Sequence, residues 1–224
     1  YGTVWKQLRA RRAQLPHALL LVGQRGIGKD ALARGFAELL LCETAPAGDT
    51  ACGKCAACRW AGQGSHPDLR FLQPQALTAD EGDALPTPDE ATKKKPSQQI
   101  TIEQVRELED FLHLSTHRHG ARIVLISPAE AMNRATANAL LKSLEEPIPG
   151  TLFLLVAHEP YRLLPTIRSR CQTVVVAPPE RSLAVRWLER GGTREAEKWL
   201  ALAGGSPLLA AELASSGERQ LLDA

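Results

Sequence analysis

The sequence predicts an α/β fold in which a mostly parallel sheet is covered by helices on both faces and followed by a smaller all-helical unit. Three observations carry this. Apolar runs of strand length alternate with longer segments of helical period. A glycine-rich loop joins the first of these runs to a helix. Beyond Pro178 only helical patterns continue.

Residues 17–23, His17-Ala18-Leu19-Leu20-Leu21-Val22-Gly23, form an apolar run ended by glycine, the pattern of a strand buried on both faces. The glycine-rich loop follows, and residues 30–41 are rich in Ala and Leu, which favour helix. Residues 68–72 predict a second strand. Residues 74–99 combine prolines, acidic residues and Lys93-Lys94-Lys95 without any period, which reads as a surface loop with solvated lysines. Thr101 with Gln104 resembles a capping box, and Ile102, Val105, Leu108 and Leu112 mark one face of the helix it opens. Residues 122–126 are the next buried strand. Residues 133–146 carry Ala137, Leu140, Leu141 and Leu144 at helical spacing and are stopped by Pro147. Residues 151–156 and 173–176 predict two more strands. After the stiff Pro178-Pro179 pair, Trp187, Leu188, Trp199, Leu200 and Leu202 are the core candidates, so the boundary is expected between 1–177 and 178–224.

Composition excludes some functions. With 27 basic and 25 acidic residues in 224, the net charge of +2 is too balanced for nucleic-acid binding by bulk electrostatics. No apolar run reaches the length of a membrane span, and the N-terminus lacks the basic-then-apolar layout of a secretory signal, so a soluble cytoplasmic protein with no membrane partner is expected.

Gly23-Gln24-Arg25-Gly26-Ile27-Gly28-Lys29-Asp30 matches the phosphate loop G-x-x-x-x-G-K-[ST] at every position but the last. Gly23, Gly26 and Gly28 let backbone N–H groups converge on an anion, and Lys29 would reach the outer phosphates. Asp30 stands where a hydroxyl normally ligates magnesium. One unit charge about 4 Å from another costs roughly 4 kcal/mol at an intermediate dielectric, so productive nucleotide binding should suffer. At the end of strand 122–126, where an ATPase carries its carboxylates, the chain offers Ser127-Pro128. Glu130 lies further on, and the turn at Pro128 argues against a displaced role for it. A degenerate loop that still organises the fold is therefore favoured over working hydrolysis.

Cys42, Cys52, Cys55 and Cys58 have the spacing of a tetrahedral structural zinc site, with Gly53 easing the bend and Lys54 and Arg59 softening the thiolate charge. An iron–sulfur cluster competes, because C-x2-C-x2-C occurs there too, but no fourth cysteine followed by proline is present. Reduced thiols without metal are the remaining reading. His66, His113, His117 and His119 are surplus to such a site, the last three being expected near a helix C-terminus.

The loop at 23–30, the four-cysteine insert, Leu140-Leu141-Lys142-Ser143-Leu144-Glu145-Glu146-Pro147 and Ser169-Arg170-Cys171 stand in one order that resembles bacterial clamp-loader ATPases of the AAA+ family. The resemblance spans nearly the whole chain. It implies an AAA+ module with a zinc insert, then a helical lid, and in the family a collar domain that this chain stops before. Within the family, gamma/tau subunits of DNA polymerase III keep the active site, while the delta prime branch loses it and keeps the Ser-Arg-Cys arginine. The losses here fit that branch, as do Val156-Ala157-His158 in place of a threonine after the fourth strand and Gly204-Gly205-Ser206-Pro207 without an arginine at the lid. By resemblance, Arg170, with Ser169 beside it, would act in trans on ATP in a neighbouring gamma/tau subunit. The implied partners are gamma/tau and delta subunits in a ring, and through them the sliding clamp and primer–template DNA of the polymerase holoenzyme. Taken alone, Arg170 reads as a surface salt bridge, and Glu145 and Glu146, awkward at a helix C-terminus, need a basic partner such as Arg168 or Arg170 or a neighbouring subunit. Two alternatives stay open: a gamma/tau-like ATPase hydrolysing its own ATP, and a zinc-dependent DNA-binding module.

Overall fold

The computed structural model describes residues 2–44, 49–79, 96–113 and 121–222. Five parallel strands, β1 (Ala18–Val22), β2 (Leu69–Leu72), β3 (Arg122–Ile126), β4 (Thr151–Ala157) and β5 (Gln172–Val175), form one sheet in the order β2-β3-β4-β1-β5. Every residue of β3 and β4 is buried, which is why these segments are apolar after their first residues, Arg122 and Thr151, instead of alternating.

Side chains leave a strand alternately to its two faces, and each face has its own helical cover. Leu20, Val124, Ile126, Phe153 and Leu155 pack under α5 (Ile102–His113) and α6 (Arg134–Glu145). Leu19, Leu21, Ile123, Leu125, Leu154 and Val156 pack under α1 (Gly2–Ala10) and α2 (Lys29–Leu41). The capping box forms as expected: the Thr101 N–H donates to Gln104 Oε1 at 2.9 Å and the Gln104 N–H to Thr101 Oγ1 at 3.5 Å. Asn133 caps α6, its Oδ1 accepting from the Thr136 N–H at 2.9 Å. At the start of β3, buried Arg122 donates to the Leu112 carbonyl at 2.6 Å and lies 5.4 Å from the Phe111 ring centroid, with Arg70 4.5 Å from the same ring.

The structure adds elements that the sequence pattern did not mark and corrects two expectations, the start of the 74–99 loop and part of the core beyond Pro178. A short helix, α3 (Ala56–Gly62), runs through the cysteine segment, and α4 (Gln75–Ala79) occupies the start of the expected 74–99 loop. The rest of that loop to residue 95, with Lys93–Lys95, lies outside the described residues, as do His117 and His119; His113 is the last residue of α5. The helix α7 (Pro165–Arg168) precedes β5. Beyond Pro178, α8 (Arg181–Arg190), α9 (Ala196–Leu202) and α10 (Pro207–Leu222) share a small core of Ala184, Leu188, Ala196, Leu200, Ala203 and Ala210. Leu188 and Leu200 are buried as expected and Trp199 packs at the margin, but Trp187 and Leu202 are exposed. Alanines let these short helices approach closely, so the bulky residues are not all needed inside.

Candidate functional site

The C-terminal ends of β1, β3 and β4 open on one side of the sheet, where parallel α/β sheets bind ligands. The loop from Gly23 to Lys29 leaves β1 there. Gly26 and Gly28 have φ of 77° and 80°, a region that favours glycine, so the two residues let the chain fold back into α2. Lys29 is buried at 1% exposure, and its Nζ donates to the carbonyls of Gly23 at 2.8 Å and Gln24 at 2.6 Å. Its ammonium is thus tied to its own loop. Burial holds its pKa below the usual lysine value, against the opposing pull of Asp30 and Glu130.

The two departures from an ATPase site meet each other. Ser127, just past β3, donates its hydroxyl to Asp30 Oδ1 on the first turn of α2. A magnesium site of this type sets a hydroxyl on the loop against a carboxylate on the strand. Here the carboxylate follows the loop and the hydroxyl follows the strand, and one hydrogen bond joins them.

Glu130, whose displaced role the sequence reading disfavoured on account of Pro128, reaches the cleft on this side of the sheet. A 3-10 turn at Ala129–Ala131 carries its carboxylate across to the end of β4, where Oε1 accepts from the N–H groups of His158 at 2.8 Å and Glu159 at 3.1 Å. Its Oε2 and His158 Nδ1 are buried without a hydrogen-bond partner among the described residues. Burial and then the Lys29 charge hold His158 below the ordinary histidine pKa. The only hint in the sequence was an acidic residue soon after a strand end. These groups line an open cleft of about 800 Å³ that also touches Gln24, Arg25, Arg162 and Ser206.

The lid closes on the loop from above. The Leu208 N–H, in the first turn of α10, donates to the Gly26 carbonyl at 2.9 Å, and Ser206 Oγ lies 3.4 Å from Gln24 Oε1. A Cβ added at Gly26 would stand 2.8 Å from Leu209 Cβ and from its backbone nitrogen, so only glycine admits this approach.

Arg170 lies away from this cleft, past α7. Its Nη2 forms an ion pair with Glu145 at the end of α6, and its Nη1 donates to the Thr166 carbonyl at 2.9 Å and to Ser169 Oγ at 3.4 Å. Ser169 Oγ itself donates to the Thr166 carbonyl at 3.1 Å. Arg168 is exposed on α7 and Cys171 is buried.

The four cysteines come together as their spacing predicted. One sulfur from each of Cys42, Cys52, Cys55 and Cys58 lies within 4.8 Å of the others, and the Cys52 and Cys58 sulfurs are 3.8 Å apart. A tetrahedral ion with bonds of about 2.3 Å to sulfur has edges near 3.8 Å, so the donor set fits zinc. Backbone N–H groups point at the sulfurs: Cys52 at Cys42 Sγ (3.4 Å), Lys54 and Cys55 at Cys52 Sγ (3.4 and 3.3 Å), and Cys58 at Cys55 Sγ (3.4 Å). The Thr44 hydroxyl and the N–H groups of Lys54 and Cys55 bring the Cys52 thiol down to about 5, while burial pushes the Cys58 thiol up to about 12. His66 takes no part in this cluster; its Nδ1 accepts from the Asp68 N–H at 3.0 Å and the ring is buried beside Trp60.

A family model described as DNA polymerase III, delta subunit, matches residues 3–180. The chain belongs to that family. Within it, the DNA polymerase III subunit delta prime of Pseudomonas aeruginosa is 44% identical over 221 residues, 97% of this chain and 61% of that protein. The delta prime subunit of Escherichia coli K12 is 37% identical over 194 residues, covering 85% of this chain and 52% of that protein. The chain therefore spans between about half and three-fifths of these relatives. The tau subunit of Escherichia coli K12 is 35% identical over 158 residues, 70% of this chain but 21% of its own length. Among solved structures, a DNA polymerase III gamma subunit-related protein from Thermotoga maritima superposes with a TM-score of 0.54 at 20% identity, over 93% of this chain and 57% of that one. That likeness bears on the fold, which is the clamp-loader AAA+ type expected from the sequence.

Proposed function

We propose that this chain is a catalytically silent subunit of a cytoplasmic clamp loader of DNA polymerase III. It lends Arg170 to the ATP site of a neighbouring gamma/tau subunit and, with a delta subunit in the same ring, helps place the sliding clamp on primed DNA. The observation that supports silence is the mutual hydrogen bond of Asp30 and Ser127, which joins the two positions an ATPase reserves for magnesium. Lys29, bound to its own loop, supports it too. Arg170 then accounts for what the chain contributes, because an arginine supplied in trans to phosphoryl transfer is worth about 10³–10⁵ in rate. We assign residues 1–177 to the ATPase-like domain and 178–224 to the lid. We assign a structural zinc to the four cysteines, since four protein ligands leave no open position for a substrate.

The test uses the full-length subunit reconstituted with gamma/tau and delta subunits. Arg170→Ala should leave assembly intact and abolish the clamp-stimulated ATP hydrolysis contributed by the neighbouring site. Unaltered hydrolysis would remove the trans role. A second reading, hydrolysis in the chain's own loop, has one observation in its favour, the Glu130 carboxylate on the cleft, whose Oε2 is buried without a hydrogen-bond partner among the described residues. Magnesium-dependent turnover by the purified chain, lost in Glu130→Gln and Lys29→Ala, would select it.

A further inference from the structure

Glu145 ends α6, where the exposed carbonyls of the last turn make a negative charge unfavourable. Its carboxylate meets the Arg170 guanidinium, and two more acceptors, the Thr166 carbonyl and Ser169 Oγ, hold the other terminal nitrogen. The Arg170 and Glu145 side chains are 33% and 47% exposed, so water screens their attraction and the pair adds little to stability. Geometry is the stronger consequence. A free arginine side chain carries about 2 kcal/mol of rotamer entropy, which must be surrendered whenever the guanidinium is fixed on a phosphoryl group. Three contacts from α6, α7 and the following turn surrender it in advance, and of the five N–H donors they leave two uncommitted among the described residues.

We propose that Glu145 is the positioning residue of Arg170: its carboxylate fixes the guanidinium in the orientation delivered to the neighbouring subunit's triphosphate. This rests on the reading that Arg170 acts in trans. Orientation of a reacting or stabilising group acts on the barrier more than on ground-state binding, so its loss should appear in kcat.

The experiment compares Arg170→Ala, Glu145→Ala, Glu145→Gln and the Arg170→Ala/Glu145→Ala double variant of the full-length subunit in the reconstituted complex. Glu145→Ala should lower the kcat of the affected site about tenfold, with KM for ATP unchanged and the melting temperature of the subunit within about 2 °C of wild type. Glu145→Gln, which keeps an acceptor oxygen, should recover part of that loss. In the absence of Arg170 the Glu145 change should do nothing further. If Arg170→Ala lowers activity but Glu145→Ala does not, or raises it, or adds in full to the double variant, the positioning role is overturned while the trans role of Arg170 stands. If neither single variant has an effect, both readings fall.

Discussion

Removing the Ser127 hydroxyl tests whether the two altered magnesium positions now form one unit. In Ser127→Ala the Asp30 carboxylate loses a donor from a residue only 8% exposed. A hydrogen bond to a charged group contributes about 1.5–3 kcal/mol; Asp30 is half-buried and water can replace part of the bond, which leaves about 1–2 kcal/mol. Asp30→Ala loses the same bond and also a charge that favours protonated Lys29, so it should cost somewhat more. The double alanine variant should then be more stable than the sum of the single losses predicts, by a coupling of about 1–2 kcal/mol. An inverted pair, Asp30→Ser with Ser127→Asp, restores the hydroxyl-to-carboxylate contact and should lie within about 1 kcal/mol of wild type. Urea unfolding of wild type and the four variants measures these differences. Losses that add to within about 0.5 kcal/mol would show that the two side chains do not depend on each other, and the structural argument for a silent site would lose its main support.

Cys55→Ser should reduce bound zinc to well below one equivalent and lower the melting temperature, because metal-ligation energy is folding energy; retained zinc with unchanged melting would refute the structural site. Gly26→Ala adds a Cβ 2.8 Å from Leu209 on a backbone with φ of 77°. Backbone strain of about 1–2 kcal/mol and overpacking of about 1–3 kcal/mol should together lower the melting temperature by roughly 4–20 °C, and a shift under 2 °C would mean the lid does not rest on the loop. Burial depresses His66, and burial with the Lys29 charge depresses His158. Below an unfolded value of about 6.5 the unfolded chain binds protons that the folded chain resists, so stability present at neutral pH should fall as pH drops through the folded values. His66→Asn, which keeps an acceptor for the Asp68 N–H, should flatten that fall, and an unchanged pH profile would refute the contribution of His66.

The strands were legible because a central parallel strand must be apolar on both faces, and residues 122–126 and 151–156 are uninterrupted by charge after Arg122. The cap at Thr101 and the cysteine cluster were legible for a similar reason: each is specified by residues close in sequence. Contacts between distant segments were not. Nothing local pairs Ser127 with Asp30, 97 positions away, or carries Glu130 to the end of β4. The helix α1 was missed although Val4, Trp5 and Leu8 have helical spacing, because its stability comes from packing, with Trp5 meeting Phe36 edge to face at 6.2 Å. Trp187 was misjudged since hydrophobicity states a preference for burial, while the alanines of α8, α9 and α10 decide how much room exists.

The touch between Gly26 and Leu209 has an evolutionary corollary. Two positions far apart in sequence share one van der Waals shell, and the atoms of residue 209 that fill it are its Cβ and backbone, so the constraint falls on position 26. A descendant that acquires a side chain at position 26 must accept a displaced first turn of α10, because the backbone nitrogen of residue 209 stands as close as its Cβ. Across homologous sequences, position 26 should stay glycine while position 209 varies more freely.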